Sequence, residues 1–176
     1  MKTRAPALLL TALLGSPPAL GAGLDITVEV PRLAVSEYNR PYVAVWVEAQ
    51  DRSVPGTLAV WYKQDAAREG GERGSTWLKD MRQWWRRTGR EQSLPIDSVS
   101  GATRPVGKHA INITIGGPQL PKLDAGQYKL MVEAAREHGG RELVSLPFQW
   151  PPTDTQAPLT AQGSSELGAI SLQLKP

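Results

Sequence analysis

Apolar and polar residues alternate with a period of two along most of this chain, and the alternation constrains the fold more than any other feature. Residues 24–30 (LDITVEV) place Leu, Ile and Val on one side and Asp, Thr and Glu on the other, as in a strand with one solvated face. The same period continues in four later segments, 111–115, 128–134, 144–150 and 170–174.

Two more segments read as strands although they do not alternate strictly. Residues 42–49 (YVAVWVEA) are almost uniformly apolar, as expected of a central strand, and residues 57–63 (TLAVWYK) follow after a turn. Turn signals separate most of these strands, and the chain has no strand–helix–strand rhythm. The pattern therefore predicts an all-β fold in which two antiparallel sheets pack face to face.

One segment, 75–90 (STWLKDMRQWWRRTGR), has helical rather than strand periodicity. Its apolar residues fall at i, i+1, i+4, i+7 and i+8, which is one face of an α-helix: Trp77, Leu78, Met81, Trp84 and Trp85. Ser75 or Thr76 is suited to cap the start, and Gly89 to follow the end. We expect one continuous amphipathic helix over about 76–88 whose tryptophans pack on the sandwich. The same helix would also suit the wall of a cofactor site, with arginines near a phosphate.

The first 22 residues have the pattern of a secretory signal peptide. Lys2 and Arg4 form a positive start, residues 7–14 form a short apolar run, and small residues surround Gly21 and Ala22. The apolar run is too short to span a bilayer, and no later segment approaches the necessary length. We therefore expect an exported, periplasmic protein whose mature chain, 23–176, is a single domain without a transmembrane segment.

Composition excludes several classes of function. The formal charge of +3 includes Lys2 and Arg4, so the mature chain is expected to be close to neutral and no nucleic-acid binding is predicted. The absence of cysteine excludes disulfides, thiolate catalysis, iron–sulfur clusters and covalently attached c-type haem. The two histidines, His109 and His138, have no metal-ligand spacing, so no metal site is predicted.

The segment after the predicted helix carries the clearest chemical motif, Asp97-Ser-Val-Ser100-Gly101-Ala102-Thr103. It resembles the acceptor motif D-x-x-[S/T]-G-A-[T/S] of proteins modified by FAD:protein FMN transferase. The resemblance implies that the Thr103 hydroxyl attacks the pyrophosphate of FAD, that AMP leaves, and that FMN remains attached through a phosphoester. It also implies that Asp97, Ser100, Gly101 and Ala102 are the residues recognised by the transferase.

The residue types suit that chemistry. A hydroxyl needs a base and a metal-held phosphate in order to react, so a separate enzyme has to supply both. Gly101 and Ala102 have almost no side chain, which leaves room for a second active site to close over the segment. Pro105 favours an extended loop over 97–105, and Arg104 is placed to pair with the phosphodiester. The competing interpretation is an ordinary Ser/Gly-rich connection with no function of its own.

A wider resemblance covers nearly the whole mature chain. The segments WLKDMRQWWRR, DSVSGATRPVGKH and DAGQYKLMVEAAREHGGRELVSLPFQWP resemble the predicted periplasmic family catalogued as domain of unknown function 2271. That resemblance implies flavinylation and a location beside flavin transferases and membrane-bound electron-transfer proteins. GQYKLMVEA also resembles strands of Ig-like or transthyretin-like sandwiches. The expected fold class is therefore an Ig-like or transthyretin-like antiparallel β-sandwich with one amphipathic helical insertion.

These expectations combine into one functional hypothesis. The chain is expected to be a non-enzymatic flavoprotein that carries FMN on Thr103 and relays electrons from a membrane-bound redox partner. Trp61, Trp77, Trp84 and Trp85 are candidates to stack on the flavin ring, and the sequence does not choose among them. Two alternatives stay open: a cofactor-free Ig-like periplasmic binding module, and a flavin-dependent reductase with a small substrate of its own.

Overall fold

The computed structural model describes residues 21–64, 74–153 and 157–176, so nearly all of the predicted signal peptide lies outside the described residues. The described part contains these strands: β1 Gly23–Val30, β2 Tyr42–Ala49, β3 Gly56–Tyr62, β4 Ser100–Ala102, β5 Gly107–Thr114, β6 Gly126–Ala135, β7 Arg141–Trp150, β8 Leu159–Gln162 and β9 Ala169–Lys175. They form a four-stranded sheet in the order β5-β1-β9-β8 and a five-stranded sheet in the order β4-β3-β2-β6-β7. The predicted all-β sandwich is confirmed.

The core between the two sheets follows directly from the alternation in the sequence. In β1 the apolar side chains from Leu24 to Val30 are no more than 1% exposed, while the intervening side chains reach the surface. They face the odd-numbered residues of β2, Val43, Val45 and Val47, which are fully buried. All strand pairs are antiparallel except β3 and β4, which run parallel.

A second apolar cluster covers the outer face of the five-stranded sheet. Ala44 and Trp46 of β2 point away from the sandwich core and pack with Leu78, Met81 and Trp84 of the connection between β3 and β4. Each of these five residues is fully buried. The uniformly apolar sequence of β2 therefore has a physical cause, because both faces of this strand are covered.

The prediction of one continuous helix over 76–88 is wrong, because this part of the chain forms three short helical pieces. The helical segment, which we define as Gly74–Glu91, consists of a 3₁₀ helix at Gly74–Asp80, a short α-helix α1 at Arg82–Arg87 and a 3₁₀ turn at Gly89–Glu91. Met81 separates the first two pieces with a non-helical ψ of 71°. The apolar stripe is buried at Leu78, Met81 and Trp84 as predicted, but Trp77 is 42% exposed.

Glu133 of β6 explains where α1 begins. Its fully buried carboxylate accepts hydrogen bonds from the backbone N–H groups of Gln83 and Trp84, at 2.8 to 3.0 Å, and from Arg141 Nη1 at 2.8 Å. A carboxylate in this position satisfies N–H groups that a helix start leaves free. The Glu133 side chain, from a strand distant in sequence, thus stabilises the start of α1. The local apolar periodicity contains no information about this contact.

Glu142 of β7 joins the two sheets. Its carboxylate accepts hydrogen bonds from the N–H groups of Ser164, Ser165 and Leu167 and from the Ser164 hydroxyl, all in the turn between β8 and β9. Partial burial acts to raise the pKa of Glu142. The backbone donors of Ser164 and Leu167, the Ser164 hydroxyl and the Ser165 donor together outweigh burial and lower the pKa to about 2.

We therefore expect the protein to lose stability as the pH falls from 4.5, the ordinary pKa of this carboxyl group, toward about 2. The folded pKa lies below the unfolded one, so the contribution is complete above the unfolded value and disappears as the carboxylate is protonated in the native state. Urea unfolding at about pH 7 and about pH 3 measures the change. Glu142→Gln should be less stable than the wild type at the higher pH and lose less stability between the two. Equal losses in both proteins would contradict this role.

Candidate functional site

The Asp97–Thr103 motif begins with a tight turn that the motif residues themselves close. The Ile96 carbonyl accepts hydrogen bonds from the N–H groups of Val99, at 3.3 Å, and Ser100, at 2.9 Å. Ser100 Oγ in return accepts from Ile96 N–H at 2.9 Å, and Asp97 Oδ1 accepts from Ser98 N–H at 3.0 Å. A hydroxyl residue three positions after Asp97 thus has a structural use, because it satisfies a backbone donor at the base of the turn.

The turn leads into β4, which is a correction to the prediction of a loop over 97–105. Ser100–Ala102 pairs in parallel with β3, with Ser100 beside Val60, Gly101 beside Trp61 and Ala102 beside Tyr62. Val60 N–H also donates to the Val99 carbonyl at 3.0 Å. Three small residues carry no alternation from which a strand could be predicted. The strand forms because the preceding turn places residues 100–102 next to the edge of β3, where their backbone groups find partners.

Thr103 is the first residue after β4 and is half-buried, whereas a position on the extended loop predicted over 97–105 would be exposed. It begins the connection by which the chain leaves the edge of the five-stranded sheet and enters β5 at the edge of the other sheet. Within the described residues, the hydroxyl of Thr103 makes no hydrogen bond to the protein. The oxygen that the motif requires is therefore not committed to a contact inside the described fold.

Arg104 follows Thr103 in the chain, and its guanidinium stacks on an aromatic pair. Its guanidinium carbon is 5.2 Å from the centroid of the Trp61 ring, which is 3% exposed. The His109 ring meets the same indole edge-on at 5.7 Å, and His109 Nε2 lies 2.7 Å from the Pro105 carbonyl oxygen. In the described part of the chain Arg104 has no carboxylate partner. The residue that follows Thr103 is therefore a cation without an acidic partner in the described fold, and such a group is able to pair with a phosphodiester.

Gly101 is less constrained than its residue type suggests. Its φ is not in the left-handed region, and a Cβ atom there would lie 3.4 Å from Trp61 Cδ1 and 3.7 Å from Arg104 Nη2, which are ordinary contacts. A glycine inside a strand normally weakens it. Within the described fold, nothing requires glycine at this position.

The four tryptophans proposed as flavin contacts differ in their exposure to solvent. Trp84 is fully buried and Trp61 nearly so, which leaves neither with a free ring face. Trp85 is half-buried and lies 6.2 Å from Trp84 between ring centroids. Trp77 is the most exposed of the four and borders a cavity on the outer face of the five-stranded sheet. Sequence reasoning named no cavity, because residues from three strands and the helical segment form it.

Residues 23–169 match the family model described as "Predicted periplasmic protein (DUF2271)". The chain belongs to this family. Membership in DUF2271 confirms the resemblance drawn from the three sequence segments, and the family description agrees with the predicted periplasmic location. The match begins at Gly23, the first residue after the predicted signal peptide.

Comparison with curated proteins and with solved structures adds no relative of this DUF2271 chain. No curated protein matches it, and neither does any solved structure. Across the described ranges, helices are all too short or too polar to cross a lipid bilayer. The functional argument therefore depends on the geometry of the motif and its surroundings.

Proposed function

We propose that this DUF2271 protein carries FMN covalently on Thr103 and relays electrons in the bacterial cell envelope. The observation that carries the proposal is an acceptor hydroxyl with no hydrogen bond to the described residues, followed in the chain by an Arg104 guanidinium with no acidic partner among them, inside a motif of the flavinylation type. Asp97 and Ser100 support it by ordering the turn that precedes the acceptor.

Attachment is a transfer of a phosphoryl-linked group from FAD. The Thr103 oxygen forms a bond to the phosphorus on the FMN side of the pyrophosphate, the P–O–P bond breaks, and AMP leaves. The hydroxyl proton passes to a base of the transferase, and the chain gains the mass of FMN less one water. No residue of the described site supplies the base or the metal, so the reaction belongs to the transferase.

Arg104 and the surrounding residues act on the attached group. The phosphodiester keeps one negative charge, and Arg104 neutralises it while its stack on Trp61 limits the positions of the guanidinium. Bound flavin supplies one- and two-electron redox chemistry, and the protein sets its position and polarity. Covalent attachment suits an exported protein, because a flavin that dissociated outside the cytoplasm would be lost.

Gly101 supports recognition by a second protein. The described fold has room for a Cβ atom there. We therefore attribute the glycine that the motif specifies to the approach of the transferase rather than to folding. The half-buried Thr103 lies two residues further on. A side chain at Gly101 would fill space beside Trp61 and Arg104 and would narrow the approach of a partner to this part of the strand.

Gly101→Ala therefore separates recognition from stability. We expect it to leave the free energy of unfolding unchanged or to raise it by up to about 1 kcal/mol, because glycine costs more conformational entropy than alanine. We also expect it to lower the yield of covalent flavin strongly. Urea unfolding gives the first quantity and intact mass after co-expression gives the second. Full modification of a stable Gly101→Ala protein would exclude recognition through this residue.

Co-expression of the wild-type chain with a flavin transferase tests the proposal as a whole. Intact mass should increase by FMN less water, the yellow colour should survive denaturation, and peptide mapping should place the addition on the peptide containing Thr103. A known acceptor protein expressed in parallel controls for transferase activity. If that control is flavinylated and this chain is not, the proposal fails and the cofactor-free binding module replaces it.

The proposed location also includes removal of the signal peptide. We expect the protein recovered from the cell envelope to begin near Gly23, since Lys2, Arg4 and the apolar run after them serve export only. N-terminal sequencing of the envelope fraction measures this start. An intact Met1 in a cytoplasmic pool would contradict export, and with it the access of an envelope transferase to Thr103.

A further inference from the structure

A cavity of about 590 Å³ opens on the outer face of the five-stranded sheet, away from the core between the sheets. Its volume lies within the usual range for sites that hold small molecules and cofactors. Strand ends, a turn and the helical segment form its walls: Tyr42, Ala135, Arg141, residues 136–140, Trp77 and Arg82.

The acceptor strand and this cavity lie in one row across the same end of the sheet. Ala102 of β4 pairs with Tyr62 of β3, whose ring is 6.5 Å from that of Tyr42 between centroids. Tyr42 pairs with Ala135, and Ala135 pairs with Arg141. Paired residues of neighbouring strands share a face of the sheet. The row therefore runs along the outer face from the residue before Thr103 to the far wall of the cavity.

The distance along this row matches the tether of FMN. Adjacent strands are about 4.8 Å apart, so Tyr42, two strands from β4, lies roughly 10 Å from the acceptor strand. A phosphoester followed by a five-carbon ribityl chain spans roughly 9–10 Å at ordinary single-bond lengths. A tether of this length, starting from the residue after Ala102, is therefore long enough to reach the edge of the cavity.

Trp77 offers the ring a surface. Trp61 and Trp84 are too deeply buried, whereas Trp77 is 42% exposed at the cavity wall. Lys79 Nζ lies 5.8 Å from the centroid of its ring. An indole exposed at the mouth of a cavity presents a flat aromatic surface, which suits a planar aromatic ligand.

The charges around the cavity suit a ring that gains negative charge when reduced. Arg136 and Arg141 line it but are held by Glu166 and Glu133, each at 2.8 Å. Arg82 is exposed and, among the described residues, has no acidic partner. Asp80 and Glu137 also border the cavity, and their negative charges act in the opposite direction. His138, in the turn between Glu137 and Arg141, lines it as well.

We propose that this cavity holds the isoalloxazine ring of the FMN carried by Thr103, with Trp77 against the ring and Arg82 favouring its reduced form. The inference rests on the proposed covalent attachment, and it identifies the surface that binds the flavin ring. It also assigns a use to the helical segment beyond covering the sheet.

Flavin fluorescence in the flavinylated protein tests the contact with Trp77. A stacked indole quenches flavin emission by electron transfer, so the native wild-type protein should be weakly fluorescent and should brighten on unfolding. Trp77→Ala should raise the native fluorescence several-fold at unchanged covalent FMN content. Trp85→Ala, on the same segment but outside the cavity lining, is the matched control and should leave the fluorescence near the wild-type value.

The redox potential tests Arg82. Arg82→Gln should lower the midpoint potential, because it removes a cation beside the reduced ring. Arg86→Gln is the control, since Arg86 is exposed, lies outside the cavity lining and is bonded to Gln83 at 2.6 Å. Covalent FMN with unchanged fluorescence in Trp77→Ala and unchanged potential in Arg82→Gln would overturn the ring site alone. Absence of covalent FMN in the wild type would instead overturn the proposed attachment.

Discussion

Thr103→Ala and Thr103→Val are expected to abolish covalent flavin completely while leaving the fold intact. Attachment requires an oxygen nucleophile, and in the motif only Thr103 stands at the acceptor position. Its hydroxyl makes no hydrogen bond to other described residues, so removal leaves no donor or acceptor unsatisfied there. Valine keeps the β-branched shape of threonine and isolates the effect of the oxygen. Thr103→Ser retains a hydroxyl and should keep part of the modification.

Intact mass and peptide mapping after co-expression with the transferase measure this result. Ser98→Ala is the matched control, because it removes a neighbouring exposed hydroxyl that makes no hydrogen bond among the described residues. The bonds of Ser98 to Asp97 and Gln119 use its backbone N–H and carbonyl and are kept. Ser100→Ala is a poorer control, since Ser100 Oγ satisfies the Ile96 N–H. Covalent FMN that persists in Thr103→Val would show that another residue is the acceptor.

Trp84→Ala is expected to destabilise the fold by about 3–5 kcal/mol, the usual cost of removing a fully enclosed aromatic side chain. The Trp84 ring is 0% exposed and packs over the outer face of the five-stranded sheet. Its Nε1 lies 3.4 Å from Thr57 Oγ1, and a Cβ atom at Gly89 would come within 2.6 Å of the ring. The site is thus tightly closed, and its walls have little freedom to fill the space.

Equilibrium unfolding in urea, followed by circular dichroism, gives the size of this loss. Trp77→Ala is the matched control on the same segment and should cost much less, because its ring is 42% exposed. The half-buried Trp85 should give an intermediate loss when replaced by alanine. Equal losses for Trp84 and Trp77 would contradict the packing of the helical segment.

The strands could be predicted from the sequence wherever one face is exposed to solvent and the other is buried in the core. The alternation in β1 predicted its buried face residue by residue, and the apolar run of β2 predicted a central position. The short edge strands β4 and β8 escaped prediction, because three or four residues are too few to establish a period.

The helical segment shows why the remainder could not be predicted. Its apolar spacing correctly placed Leu78, Met81 and Trp84 against the sheet, but the break at Met81 depends on Glu133, which is about fifty residues away in the sequence. The cavity has the same origin, since its walls come from segments that only the fold brings together. The acceptor motif, by contrast, is continuous in sequence, and so its residues could be named before the structure.

The three-residue length of β4 has a consequence for the proposed modification of Thr103. A strand at the edge of a sheet, paired on one side only, opens at a small fraction of the free energy needed to unfold the whole domain. β2 lies between two strands and is covered on both faces, so we expect it to be in the most slowly exchanging part of the molecule. Amide hydrogens of Ser100–Ala102 should therefore exchange early through local fraying. Under the proposed attachment, this fraying would let the segment that ends at Thr103 enter the active site of the transferase while the sandwich stays folded.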